Sequence, residues 1–185
     1  MIEQALLKFE EDGQCGKAPF VRRLAPNFMD KARHNLMFSS AIFDLCGSGE
    51  AKKTLRLPDD FSSYDWVVIT AYYAMYHSAL SVLASIGYKS SSHTATIVAL
   101  EVFFVKKNLL EKEFLEKLKQ ARELEEEYVD KLRSARRQRE TAQYAVSEGT
   151  GKDAAEKLLR NAREFVDRID RLAIEMKGEG KEPAD

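Results

Sequence analysis

Apolar residues recur at three- and four-residue intervals along almost the whole chain, and no segment alternates apolar and polar residues in twos. Such spacing places apolar side chains on one face of a helix, whereas a strand needs a period of two. The stretch from Trp66 to Ile86 is apolar on nearly every face, which is typical of the central helix of a bundle. The sequence therefore predicts an all-α fold, an up-and-down bundle of five or six helices.

Glycine, proline and capping residues divide this pattern into segments. We expect helices over residues 2–10, 27–47, 62–87, 93–107 and 111–147, and a last helix from Thr150 to Met176. Asn27, Ser92 and Thr150 are the predicted N-caps, and the long fifth helix is expected to break near Gln120. Residues 47–60 are predicted to form a long loop.

The length of 185 residues suits one buried core better than two independent domains. We predict an N-terminal helix and connecting arm over residues 1–26, a helical bundle over 27–177 and a disordered tail over 178–185. The formal net charge is −1, so nucleic acid or an acidic membrane would have to be bound by a local patch. No uninterrupted apolar run reaches the length of a membrane span, and we expect none.

The cysteines and histidines exclude several kinds of site. Cys15 and Cys46 lack CxxC spacing, and no basic-then-apolar leader precedes them, which predicts a reduced, cytoplasmic protein. Three scattered histidines without an HExxH motif predict neither a metal site nor a cofactor. The glycine-rich turn before Lys152 has no preceding strand and no following Ser or Thr, so it does not predict a phosphate loop.

An arginine cluster gives the strongest indication of function. Residues 133–144 read RSARRQRETAQY, and Arg139 lies on an apolar helical stripe formed by Tyr128, Leu132, Ala135, Ala142 and Val146. Arginine keeps its charge when buried, so Arg139 needs an anion or a wet cleft. Either an ion pair with an acid of another helix or a phosphate-binding cleft between subunits satisfies it. Arg133, Arg136 and Arg137 are equally well explained as a solvated face beside neighbouring acids.

Other candidate residues also have structural explanations. His93 follows three serines at a helix start, where free N–H groups can hold a phosphate, but a capped helix with a solvated histidine is an alternative. His77 lies on an apolar stripe and is more often a hydrogen-bonded core residue than a ligand. The tyrosines at 72, 73 and 76 can stack on bases, although such residues are more often core side chains.

Several pieces together resemble the HEPN superfamily, most closely its small stand-alone prokaryotic members. They are AYYAMYHSAL (71–80), SSH (91–93) before an apolar helix through VFFVK (102–106), RETAQY (139–144) and AAEKLLRNAREFVDRI (154–169). The resemblance covers residues 27–176. It implies a helical bundle that dimerises, with an Arg-centred motif from each subunit meeting at a shared cleft.

The motif departs from that of active family members. Those members pair the arginine with a histidine after four to six intervening residues and cleave RNA without metal. Tyr144 stands at that place, with four residues between it and Arg139 and six between it and Arg137, and Gln143 replaces an acid common in the stand-alone group. A tyrosine with a pKa of about 10 is a poor base at pH 7. Arg139 can still stabilise negative charge, and Tyr144 can donate a hydrogen bond.

Sequence and resemblance together predict a cytoplasmic homodimer that binds RNA or a nucleotide phosphate at an Arg-centred dimer cleft. The predicted phosphate contacts are Arg133, Arg136, Arg137, Arg139 and His93, and the candidate catalytic pair is Arg139 with Tyr144. The resemblance also implies one half of a toxin-antitoxin pair or a minimal nucleotidyltransferase as partner. A weak metal-independent endoribonuclease and a non-catalytic structural interaction module are the alternatives.

Overall fold

The structure, a computed structural model, describes residues 2–140 and 151–178, apart from the side chains of Tyr128 and residues 131–140. Its helices are α1 (Ile2–Glu11), α2 (Ala25–Gly47), α3 (Gly49–Thr54), α4 (Tyr64–Ser85), α5 (His93–Leu100), α6 (Lys112–Glu140) and α7 (Lys152–Gly178). A 3-10 helix (Pro19–Leu24) precedes α2, and a π-helical turn (Glu101–Val105) continues α5. The predicted all-α class is confirmed.

Helix α4 is the centre of the bundle. It packs against α2, α6 and α7, and residues on every side of it, such as Val67, Ala71, Met75 and Leu83, are fully buried. Among the described residues it is the one helix with the length and apolarity of a membrane span, yet most of it lies inside the protein. An apolar surface on all faces is what a helix needs when other helices surround it.

Hydrogen bonds between side chains and backbone set the direction of α2 against α4. The Ser81 hydroxyl, near the end of α4, donates to the carbonyl oxygen of Ala25 at 2.8 Å. The Ser39 hydroxyl donates to the carbonyl oxygen of Val67, near the start of α4, at 2.9 Å. The two helices are therefore antiparallel, as an up-and-down bundle requires.

Helix α7 closes the core with one apolar stripe. Its members that are buried are Leu158, Ala162, Phe165, Ile169 and Leu172. This confirms the three- and four-residue spacing read from the sequence. The cap predicted at Thr150 lies outside the described residues.

The N-terminal arm contains a strand that the periodicity did not predict. Strand β1 (Cys15–Lys17) pairs antiparallel with β2 (Tyr88–Ser90), so that Gly16 lies opposite Lys89. Leu6 of α1 reaches the main core, which α5 also lines. The arm is thus held against the bundle, and the proposed domain boundary at residue 26 stays a prediction.

Gly87 makes the close approach between the arm and α4 possible. Its φ of +77° is a left-handed conformation that glycine adopts without strain. A Cβ at this position would lie 3.3 Å from the Pro19 Cα and 3.0 Å from the Arg22 Nε. The carbonyl oxygen of Gly87 also accepts a hydrogen bond from the Ala18 N–H at 2.7 Å. The predicted helix end at Gly87 is confirmed.

Three sequence predictions about helix boundaries were wrong. The predicted loop contains α3, which Ser48 caps by accepting the Ala51 N–H at 3.1 Å. Helix α2 begins at Ala25 with proline in its first turn, a favoured place for proline, so Asn27 is not its cap. Helix α6 runs without interruption through Gln120.

Candidate functional site

Helix α6 carries the predicted arginines in its last turns, since its backbone is helical to Glu140. The side chains of Arg133, Arg136, Arg137 and Arg139, and Tyr144 as a whole, lie outside the described residues. Their roles stay predictions. His93 is the one predicted site residue whose surroundings the structure describes.

His93 lies in a cleft of about 660 Å³, which we call the His93 cleft. The start of α5, the middle of α6 and one residue of α4 enclose it. Its described lining residues are Tyr73, Ser91, Ser92, His93, Thr94, Arg122, Glu125, Glu126, Val129 and Asp130. The volume is within the range usual for small-molecule sites.

Tyrosines of α4 hold the ring of His93. The ring stacks on Tyr76 with centroids 4.2 Å apart and planes 7° apart, and Nδ1 hydrogen-bonds the hydroxyl of Tyr72. Tyr73 approaches it edge-on at 6.1 Å. Burial lowers the pKa of His93, and the charge of Arg122 lowers it further, so the imidazole is neutral at pH 7. A packed, half-buried ring replaces the solvated histidine of the alternative interpretation.

The predicted cap at Ser92 is confirmed and fixes where His93 enters the helix. The Ser92 hydroxyl accepts from the Ala95 N–H at 3.5 Å, and its carbonyl oxygen accepts from the Thr96 N–H at 2.9 Å. Because the cap orders the first turn of α5, His93 projects from a rigid element.

Arg122 is held in place in the lining of the cleft. Its Nε and Nη2 donate to Oε1 of Glu126 at 3.0 and 2.6 Å, and its Nη1 donates to the hydroxyl of Thr94. Only 25% of the Arg122 side chain is exposed. These contacts link α6 to the start of α5 and hold the guanidinium plane in one orientation.

Glu125 adds a buried carboxylate to the same wall. The residue is 7% exposed and makes interactions within the protein. Burial raises the pKa of both Tyr72 and Tyr73, and the nearby charge of Glu125 raises it further. The described lining residues thus supply a tyrosine ring, a neutral imidazole, one guanidinium and three carboxylates.

The other aromatic candidates divide between core and cleft. Tyr72 and Tyr76 are buried, as expected of core tyrosines, whereas Tyr73 lines the cleft. His77 Nδ1 lies 2.8 Å from the carbonyl oxygen of Tyr73 and 3.0 Å from Asn35 Nδ2. The interpretation of His77 as a hydrogen-bonded histidine is confirmed. Within the described ranges, no group of three metal-ligating side chains occurs.

We expect the protein to lose stability on mild acidification. Burial lowers the pKa of His77 and His93 in the folded state. Below about pH 6.5 the unfolded chain therefore binds protons that the folded chain does not, and stability present above that pH falls. Urea midpoints between pH 7.5 and 5.5 should drop, and less steeply in His93→Gln. The exposed His34 supplies the control, since an equal change in slope for His34→Gln would contradict this assignment.

One family model matches the part of the chain that forms the His93 cleft. The family model of the HEPN domain matches residues 50–172, about two thirds of the chain. The matched span contains every residue that lines the His93 cleft. A search of curated proteins finds no match.

Proposed function

Because the chain belongs to the HEPN domain family, we propose that it binds RNA or a nucleotide at an Arg-centred cleft shared by two subunits. Membership is consistent with RNA-related or nucleotide-binding roles. The observation that supports the proposal most is the position of the His93 cleft on α6. Its last lining residues, Val129 and Asp130, come one helical turn before Arg133 in the sequence.

The order of residues along α6 supports a divided binding surface. Arg122, Glu126 and Val129 line the cleft, and Arg133 and Arg137 continue their three- and four-residue spacing in the sequence. Arginines bind phosphate through charge-assisted, often bidentate hydrogen bonds. A strand that enters the cleft would therefore meet phosphate ligands along the same helix.

The proposal includes a homodimer in the cytoplasm, because the resemblance implies a cleft formed by two Arg motifs. It also includes a protein partner, either as one half of a toxin-antitoxin pair or as a minimal nucleotidyltransferase. Net charge near zero suits a protein whose nucleic-acid contacts are confined to one patch.

A metal-independent endoribonuclease is the second candidate function, and one observation favours it. An unperturbed tyrosine is a poor general acid or base at pH 7, but His93 supplies a neutral imidazole at the cleft wall. The Arg122–Glu126 pair instead favours the structural alternative, since it shows an arginine of α6 serving a salt bridge. RNA cleavage in the presence of chelator separates the nuclease from both binding alternatives.

We expect RNA affinity to fall with rising salt and to depend on Arg137 and Arg139. Removing one arginine that neutralises a phosphate of a single strand reduces the slope of log K against log salt by roughly 0.7, so the double alanine variant should lose about 1.4. Titration of a labelled single-stranded RNA between 50 and 200 mM salt measures both slopes. Light scattering on the same samples should give the mass of two chains.

The matched control replaces the exposed Arg160 and Arg171 of α7 by alanine, because this removes the same charge from another helix. It should leave the slope unchanged. Absence of binding at low salt, or equal losses of affinity in both double variants, would remove phosphate binding by Arg137 and Arg139 from the proposed function.

A further inference from the structure

The neutral imidazole of His93 can serve a ligand in two ways. A ring nitrogen without a proton accepts a proton or a hydrogen bond, whereas the N–H of the other nitrogen donates a hydrogen bond. Which nitrogen carries the proton is set by the hydrogen bond that the other nitrogen makes. The surroundings of Nδ1 therefore decide which of the two groups Nε2 presents to the His93 cleft.

The hydroxyl of Tyr72 is the partner of Nδ1. Tyr72 is fully buried, so water does not reach this hydroxyl. Among the described residues, Nδ1 of His93 is the one acceptor within hydrogen-bond distance of it. Burial raises the pKa of Tyr72, which keeps the phenol protonated and able to donate. Because a buried donor that lacks an acceptor costs stability, the hydroxyl donates to Nδ1.

Donation by Tyr72 leaves the proton of the neutral His93 ring on Nε2. The opposite tautomer would set Nδ1–H against the phenol oxygen and leave the phenolic hydrogen without an acceptor. Turning the ring over would place Cδ2, which accepts no hydrogen bond, against the same hydroxyl. The stack on Tyr76 and the cap at Ser92 hold the ring and its helix in place. Both alternatives leave a buried donor unsatisfied, so the tautomer with Nε2–H is favoured.

The Nε2–H group lies on the cleft side of the ring. Nδ1 and Nε2 are on different edges of an imidazole, and Nδ1 points at the buried hydroxyl of Tyr72 while His93 lines the cleft. A ring nitrogen that carries the proton in the neutral form cannot take up another, so Nε2 is not a base in this tautomer. It offers one uncharged donor, which suits an acceptor oxygen of a ligand.

We propose that Tyr72 is a positioning residue that keeps His93 as the Nε2–H tautomer, and that His93 donates this N–H to an acceptor oxygen of the bound RNA or nucleotide. A phosphate oxygen and a carbonyl oxygen of a base are the two sources of such an acceptor. The inference rests on the proposed function, because RNA or a nucleotide brings the oxygen. It assigns His93 to binding and removes it as the base of the nuclease alternative.

Nuclear magnetic resonance of the full chain tests the tautomer on the unchanged protein. Long-range proton–nitrogen spectra at pH 7.5 distinguish a protonated ring nitrogen from a bare one, and comparison with His93→Gln assigns the signals. We expect a bare Nδ1 and a protonated Nε2 for His93. Tyr72→Phe removes the donor to Nδ1, so both nitrogens should move toward the averaged values of an unrestrained imidazole. A protonated Nδ1 in the unchanged protein, or nitrogen signals that Tyr72→Phe does not move, would overturn the inference.

Two amide variants test the donor itself. A glutamine can place an N–H where Nε2 lies, an asparagine reaches only as far as Nδ1, and neither amide acts as a base near pH 7. His93→Gln should keep the affinity for a labelled single-stranded RNA within about threefold, and His93→Asn should lower it by about tenfold, as for one lost hydrogen bond. The exposed His34 supplies the matched control, since His34→Asn should leave the affinity unchanged. If His93→Asn fails to fold by circular dichroism, the nitrogen spectra of the unchanged protein still decide.

Competition with small ligands identifies the source of the acceptor oxygen. Displacement of the labelled RNA by inorganic phosphate that weakens in His93→Asn would assign a phosphate oxygen. Displacement by uridine, which brings carbonyl oxygens without a phosphate, would assign a base if it weakens in the same variant. Either result supports a donor role for His93.

The failure of this inference differs from the failure of the proposed function. Losses of RNA affinity that are equal in His93→Gln and His93→Asn, or absent from both, would overturn the inference and leave the proposed function standing. Absence of RNA and nucleotide binding by the unchanged protein at low salt would overturn the proposed function, and the donor role with it.

Discussion

Replacing Phe165 by alanine is expected to lower the free energy of unfolding by about 3–5 kcal/mol. Phe165 is fully buried on α7, and its ring lies 6.4 Å from that of Phe114 on α6. Truncation removes buried apolar area and leaves a cavity that a close-packed core fills only in part. Urea unfolding followed by circular dichroism measures the change.

The control for this prediction lies on the same helix. Arg160 is exposed on α7, and Arg160→Ala should change the free energy of unfolding by no more than about 0.5 kcal/mol. A decrease of less than about 1 kcal/mol for Phe165→Ala would contradict its place in the core. The result bears on function as well, because α7 packs on α4 and α6, which both contribute lining residues to the His93 cleft.

Periodicity predicted the long elements because their burial is one-sided or complete over many turns. The stripe of α7 repeats at three and four residues from Leu158 to Leu172, and α4 is apolar on every side. Short elements lack such repetition. Helix α3 has six residues and each strand has three, which is less than the length over which either period becomes visible.

The pairing of strands from distant parts of the chain could not be predicted from the sequence either. Strand β1 meets β2 more than seventy residues later, with Cys15 opposite Ser90, and spacing within a segment carries no information on that distance. For the same reason the role of Arg122 could not be predicted, since its contact with Thr94 joins two helices. Arg122 and its partner Glu126 lie one helical turn apart. From the sequence alone, such a pair of charges is assigned to a solvated helix face.

Glu125 could have been found by the rule that singled out Arg139. Leu118 and Ala121 are buried on α6, and the next position at helical spacing is Glu125. A carboxylate on an otherwise apolar stripe needs a partner as much as an arginine does. It was missed because five acids lie between 123 and 130, so that the buried one resembles its solvated neighbours.

The second large effect is expected from a substitution of Tyr144, the tyrosine of the Arg motif. We expect Tyr144→His to raise any metal-independent cleavage of single-stranded RNA by about 10²–10⁴-fold, the usual contribution of a positioned acid-base group. Tyr144 lies outside the described residues, so the prediction rests on its spacing from Arg137 and Arg139, at which active family members carry a histidine. Imidazole titrates near neutral pH, whereas an unperturbed phenol has a pKa of about 10.

Three controls separate chemistry from a change in binding, with all assays in chelator. Tyr144→Phe removes the hydroxyl without adding an acid or base and should show no gain. Arg139→Ala, added to Tyr144→His, should abolish the gain if that arginine stabilises the developing charge. His93→Gln in the same background tests whether the imidazole of the His93 cleft takes part. Strong cleavage by the unmodified protein would contradict the expected weakness of tyrosine, and no gain in a folded Tyr144→His protein would favour binding or scaffolding over catalysis.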